Sequence, residues 1–394
     1  MLKTLFEGFS PQGIIGENNK RMKYIDVAYL FGVFLVVLGH AHPLNESWSG
    51  IWMNEMNKLI YSFHMHFYFF LGGYLLVHSK SIDRIGYKKW AIDKILKFGI
   101  PYVVLTVLAY FPKLLLDSLG NTSDTVQFSL SYFLRTTFLE PRAGVWGHFW
   151  FITAFLPINL IWGLWRYYAP KSKTIYRTGL LLGLLISVYI AVLPINTDIF
   201  TLFDISELAI FYSLGVFFAL LKPVLWNKTY KLLLGIFVPL AIVPFLYEHG
   251  NFTNYRLKSL TTLNLLKSGF DLKFDILDTT IINFIVSLCL VSICWCLAIL
   301  IGRIKHFKLP ELLSKYTFNI FVYGWPAQAF IEAVLHSNEL NVYAVSAIMF
   351  VVGFAAPILI VYIYKKLKFI HCRFFDYLIG VNTVSISHKG DIKS

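Results

Sequence analysis

The side chains best suited to chemistry in this sequence are five histidines set in very apolar surroundings. LVVLGHAHP carries His40 and His42, YSFHMHFYFF carries His64 and His66, and GVWGHFWFI carries His148. Imidazole titrates near neutrality, so it can take a proton from a hydroxyl, return one to a leaving group, or hold an acyl group in transit. Helical spacing sorts the pairs. His64 and His66 are two residues apart, about 200° around a helix, and cannot both face one site. The same holds for His40 and His42, and His42 precedes Pro43, where a helix ends, so His40 is the better placed of the two. Tyr29, eleven residues before His40, lies only about 20° off the same helix face.

Two further groups of residues have chemical potential. Lys80, Arg84, Lys88, Lys89, Lys94 and Lys97 crowd one short stretch, and cations of this kind hold phosphates as well as anchoring membrane ends. Lys94 and Lys97 share a helix face. Trp146 and Trp150 bracket His148, where their rings would either stack on a sugar or belong to an interfacial aromatic belt. Asp26, Asp204, Glu207 and Glu332 read as carboxylates at helix starts or at the membrane interface.

The elements that must position these residues are membrane helices. The 394-residue chain is 57% hydrophobic and 14% charged, too apolar for a water-facing surface. Runs long enough to cross about 30 Å of hydrocarbon lie near 24–42, 57–78, 95–113, 147–165, 178–194, 206–221, 231–247, 280–302, 316–336 and 343–364. The expectation is an all-α bundle of about ten spans, since only helices satisfy their own backbone in lipid at this composition. Lys and Arg outnumber Asp and Glu by 35 to 22, and most of them alternate onto one side of such a bundle. The positive-inside rule then puts both termini in the cytoplasm and the histidines in the outer half. Residues 1–23 form a cytoplasmic segment, 24–365 the membrane domain and 366–394 a cytoplasmic tail. The loops 114–146 and 248–279 are long and polar enough to contact a substrate. Cys289, Cys294 and Cys296 sit in one apolar run and Cys372 in the basic tail, which fits neither a disulfide framework nor a zinc site. No metal and no nucleic acid are expected.

In order and placement, RMKYIDVAYLFGVFLVVLGH followed by FHMHFYFFLGGYL resembles the start of the acyltransferase 3 family, in particular its fucose 4-O-acetylase-like branch. WAIDKILKFGIP, GHFWFITAF, FYSLGVFF and YTFNIFVYGWPAQ resemble successive later segments. The resemblance implies a polytopic enzyme of the bacterial cytoplasmic membrane that takes an acyl group, usually acetyl from acetyl-CoA, and places it on a sugar hydroxyl of a surface polysaccharide or its lipid-linked precursor. It makes His40 the essential histidine and Lys94 and Lys97 the paired basic positions for the donor. The family usually has Arg or Lys where this chain has Tyr29.

Under that resemblance His40 is the general base or a transient acyl carrier, His64, His148, Trp150 and Tyr29 contact substrate, and acetyl-CoA is the donor. Two other readings stand beside it. A transporter or flippase for a lipid-linked sugar would also bury polar groups in such a bundle. An inert partner in a polysaccharide-synthesis complex would account for Tyr29.

Overall fold

The computed structural model of the chain describes residues 23–41, 56–57, 59–118, 129–144, 147–192, 197, 199–220, 233, 236–238, 274–304, 308–335, 341–367 and 372–380. Among them every regular element is helical. In chain order these are α1 (Lys23–His40), α2 (His64–Val77), α3 (Ser81–Ile85), α4 (Tyr87–Ser118), α5 (Leu130–Leu134), α6 (Trp150–Tyr168), α7 (Lys173–Val192), α8 (Leu202–Leu220), α9 (Phe274–Gly302), α10 (Leu309–Leu313), α11 (Thr317–Leu335), α12 (Val342–Lys366) and α13 (Arg373–Ile379), linked in places by short 3-10 and π turns.

Six stretches are long and apolar enough to cross a membrane: Lys23–His40, Gly147–Lys171, Lys173–Ala191, Ile199–Leu220, Phe284–Gly302 and Val342–Lys366. α4 and α11 are also long, at 32 and 19 residues. Eight of the expected spans fall on these helices, 57–78 falls on the 14-residue α2, which is shorter than a full crossing, and most of 231–247 lies outside the described residues. What these helices expose agrees with lipid as their solvent. Leu181, Leu182, Leu185, Ile186 and Tyr189 of α7 and Val351, Leu359 and Tyr362 of α12 all project outward. In water an apolar face of that size would drive association, whereas hydrocarbon tails solvate it.

The core is aromatic and centres on α2. Its Phe67, Phe69, Phe70, Leu71 and Tyr74 are all buried, as expected of a helix that is apolar on every side. α2 makes its most extensive contact with α8, and two glycines let the backbones meet there. A Cβ on Gly73 would run into the Tyr212 carbonyl, and one on Gly215 into the Phe70 carbonyl. Small residues at such crossings permit the close packing that holds membrane helices together.

α1 runs through the middle, touching α2, α9, α10, α11 and α12. Ion pairs tie other helices together at both ends of the bundle. Arg166 of α6 is 1% exposed, donates to the Val77 carbonyl at 3.0 Å and grips Asp83 of α3 through two bonds of 3.0 and 2.7 Å. At the opposite end Arg142 makes a forked pair with Asp204 of α8, its Nε 2.9 Å from Oδ2. Fork-to-carboxylate geometry fixes orientation as well as energy.

Candidate active site

At the end of α1, His40 is half-buried and its Nδ1 lies 3.2 Å from the hydroxyl of Tyr61. Tyr61 in turn meets the ring of His64 edge-on at 4.9 Å. His64 Nδ1 is 2.8 Å from the Ile60 carbonyl. A carbonyl only accepts, so Nδ1 carries the hydrogen and a neutral His64 presents Nε2 as an acceptor. From a third direction, His148 lies against Trp325 of α11, ring centres 4.5 Å apart, and the same indole meets His40 edge-on at 6.3 Å. Pro326 explains part of this placement. It has no N–H, so the Val322 carbonyl one turn earlier loses its usual helical partner, and His148 approaches that backbone.

The three histidines expected to share a level thus gather around two aromatic rings, with His40 joined to His64 through Tyr61 and to His148 through Trp325. His66 points the other way. Its Nε2 is 3.5 Å from Glu207 Oε1, and its ring meets Phe211 of α8 at 4.5 Å. His42 and Trp146 lie outside the described residues.

Trp150 is engaged on one side. The Arg142 guanidinium stands 4.0 Å above its ring while also holding Asp204. That face is closed to a sugar, and only the other remains for stacking. Asp204 and Glu207, expected as interfacial carboxylates, are instead buried and paired, with Arg142 and His66 respectively. A charge that deep is held only where a partner offsets its desolvation. Hydropathy gives no sign of such a partner in a remote loop.

Below the histidines lies a level of phenols. Tyr29 shares it with the hydroxyls of Tyr68 and Tyr212. Gly32, one turn on from Tyr29, lets the Tyr68 ring lie against α1, since a Cβ there would stand 2.9 Å from the ring. Asn159 donates to the Tyr212 oxygen at 2.7 Å, and the Tyr68 hydroxyl is buried with no hydrogen-bond partner among the described residues. Tyr68 was not singled out in the sequence, although it stands in the same FHMHFYFF stretch as His64. At the far end of α1, Asp26 accepts from Ser314 Oγ at 2.8 Å, and Lys23 is ion-paired with Glu311 at 3.3 Å.

Lys94 and Lys97 sit half-buried in the first turns of α4, on the same end of the bundle as Asp26. Their ammonium groups lie over Trp90 at 5.8 Å and over Phe318 at 5.4 Å. α13 closes round this end. Tyr377 donates to Asp93 Oδ1 at 2.8 Å, Tyr323 donates to the Leu378 carbonyl at 2.6 Å, and Asn319 donates to the Ile379 carbonyl. Within the expected tail 366–394, the described residues 372–380 form a short helix packed on the bundle. RFFDYLIG has the aromatic content to dock and ends in Gly380 at φ 72°, the left-handed cap that stops a helix. Among the described residues no group of His, Cys, Asp and Glu is placed to hold a metal ion.

The arrangement of the described residues is that of a helical membrane protein with an imidazole cluster at one end of its central helix and half-buried cations toward the other. The chain belongs to the acyltransferase 3 family, whose model, described as an acyltransferase domain, matches residues 22–365. It is a membrane acyltransferase, and the match takes in every candidate residue named above. No curated protein and no solved structure matches the chain.

Proposed function

We propose that the protein transfers an acetyl group from acetyl-CoA, entering at the Lys94 end, to a sugar hydroxyl of a surface polysaccharide or its lipid-linked precursor held at the His40 end. The observation that carries this reading is the gathering of His40, His64 and His148 around Tyr61 and Trp325 at one end of α1, with Lys94 and Lys97 at the other. Acyl transfer from a thioester to an alcohol needs a base for the hydroxyl proton and donors for the developing oxyanion. In the tautomer whose Nδ1–H donates to the Tyr61 oxygen, His40 keeps its Nε2 lone pair to accept that proton. His64, likewise presenting Nε2, orients the acceptor with the open side of Trp150. The CoA phosphates rest on Lys94 and Lys97, and the pantetheine arm runs past the phenols, where Tyr29 and Tyr68 donate hydrogen bonds in place of a cation. Both termini face the cytoplasm in this reading, so the donor comes from inside the bacterial cell and the product forms toward the outer face.

Deletion of the gene, followed by complementation with wild type or His40→Ala, tests it. The surface glycans of the deletion strain and of the His40→Ala strain are expected to be lighter by the mass of one acetyl group per modified residue. Unchanged glycan mass in the deletion strain would overturn the acceptor, and restored mass with His40→Ala would overturn the base.

A further inference from the structure

The ring of His40 can act only if the last turn of α1 is held still, and that turn ends without the usual helical closure. The Ala41 N–H bonds back to Leu38 at 3.2 Å, so the Val37 carbonyl, three residues before His40, is left without the helical N–H that would ordinarily cap it. Gln328 of α11 takes that place. Its Nε2 lies 2.8 Å from the Val37 oxygen, and the side chain is 1% exposed. The carbonyl can only accept, so this contact fixes which end of the amide is nitrogen. The other end, Oε1, is buried without a hydrogen-bond partner among the described residues. Among the described residues nothing else satisfies that amide, so its bond to Val37 is what gives it one orientation.

Space for the amide is provided from a third helix. Gly353 of α12 faces it, and a Cβ there would stand 2.9 Å from Gln328 Cδ, 3.0 Å from its Nε2 and 2.8 Å from Val37 Cγ1. Three residues before Gln328 on the same helix is Trp325, whose indole meets the His40 ring. One segment of α11, Trp325 to Gln328, therefore holds both the backbone and the ring of the histidine, the former through an amide and the latter through an indole.

We infer that Gln328 is the positioning residue for His40, acting through the Val37 carbonyl and seated by Gly353. This deepens the proposed reaction and rests on it. A positioning residue changes the rate of the chemical step and leaves donor binding alone, because the Lys94 end of the path is untouched. Small misplacements of a reacting group lower rates by up to about 100-fold.

The experiment uses full-length protein in membranes of the producing cell, which contain the native acceptor, and follows thiol release from acetyl-CoA over a range of concentrations. Gln328→Met keeps the unbranched shape and removes the donor. Gly353→Ala keeps Gln328 and displaces its amide. Each is expected to lower kcat by about 10- to 100-fold with the KM for acetyl-CoA within about two-fold, while detergent-solubilised protein elutes as wild type does. Unchanged kcat, or a KM that rises in step with the loss, overturns the inference. If Gln328→Met does not fold, Gly353→Ala decides by the same criterion, and failure of both to fold overturns the inference by making Gln328 a structural tie. His40→Ala is measured alongside. Should it retain thiol release, the proposed reaction itself fails. Should it be inactive while both other variants keep wild-type kcat, only the positioning role fails.

Discussion

At the scale of single residues, the account depends on a division of labour between His40 and the two lysines. In the proposed reaction His40 does the chemistry, so its loss is expected to remove turnover without changing how tightly donor binds. In that reaction Lys94 and Lys97 hold the donor's phosphates, so Lys94→Gln and Lys97→Gln are each expected to raise the KM for acetyl-CoA by about tenfold, the size of one lost charge-assisted hydrogen bond, with kcat nearly kept. Steady-state kinetics on membranes decides between them, and a kcat loss in the lysine variants with unchanged KM would move those residues to the chemical step. Much of this site was legible in the sequence because helical spacing and apolar surroundings are local. Rotation separated His64 from His66, rotation together with the helix end before Pro43 put His40 ahead of His42, and the structure turns His66 toward Glu207 while His64 faces Tyr61. What rotation could not reveal were partners from distant segments: Trp325 between two histidines, Arg142 over Trp150, and Gln328 on Val37.

At the scale of elements, the site depends on close helix crossings. α2 carries His64, Tyr68 and the buried phenylalanines, and its position against α8 is set by the bare backbones at Gly73 and Gly215. Gly73→Ala is expected to cost about 1–3 kcal/mol of stability through overpacking against the Tyr212 carbonyl. A lower midpoint of thermal unfolding in detergent would register it, and an unchanged midpoint would show that the helices can separate freely. Periodicity finds helices and cannot find such crossings, because a glycine inside an apolar run reads only as weak helix propensity. The same limit hid α13. Its seven residues are too few for a hydropathy window, and its role emerges only from where Tyr377, Leu378 and Ile379 bond to α4 and α11.

At the scale of the whole molecule, composition and charge carried most of the information. An apolar chain with alternating basic loops specifies a helical membrane protein, and the family match over residues 22–365 makes it an acyltransferase. Orientation is the property that connects its two ends to the two sides of a membrane. Cys372 is exposed beside α13, while Cys289 and Cys296 are buried in α9. An impermeant maleimide is therefore expected to label Cys372 in inverted membrane vesicles and not in intact spheroplasts, and labelling from outside would reverse the direction of transfer. The most direct test of the central claim is to supply inverted vesicles with acetyl-CoA radiolabelled in the acetyl group and to count label in the glycan fraction. The account predicts labelled glycan with wild-type protein and background counts with His40→Ala; equal counts in both, or none with wild type, would contradict it.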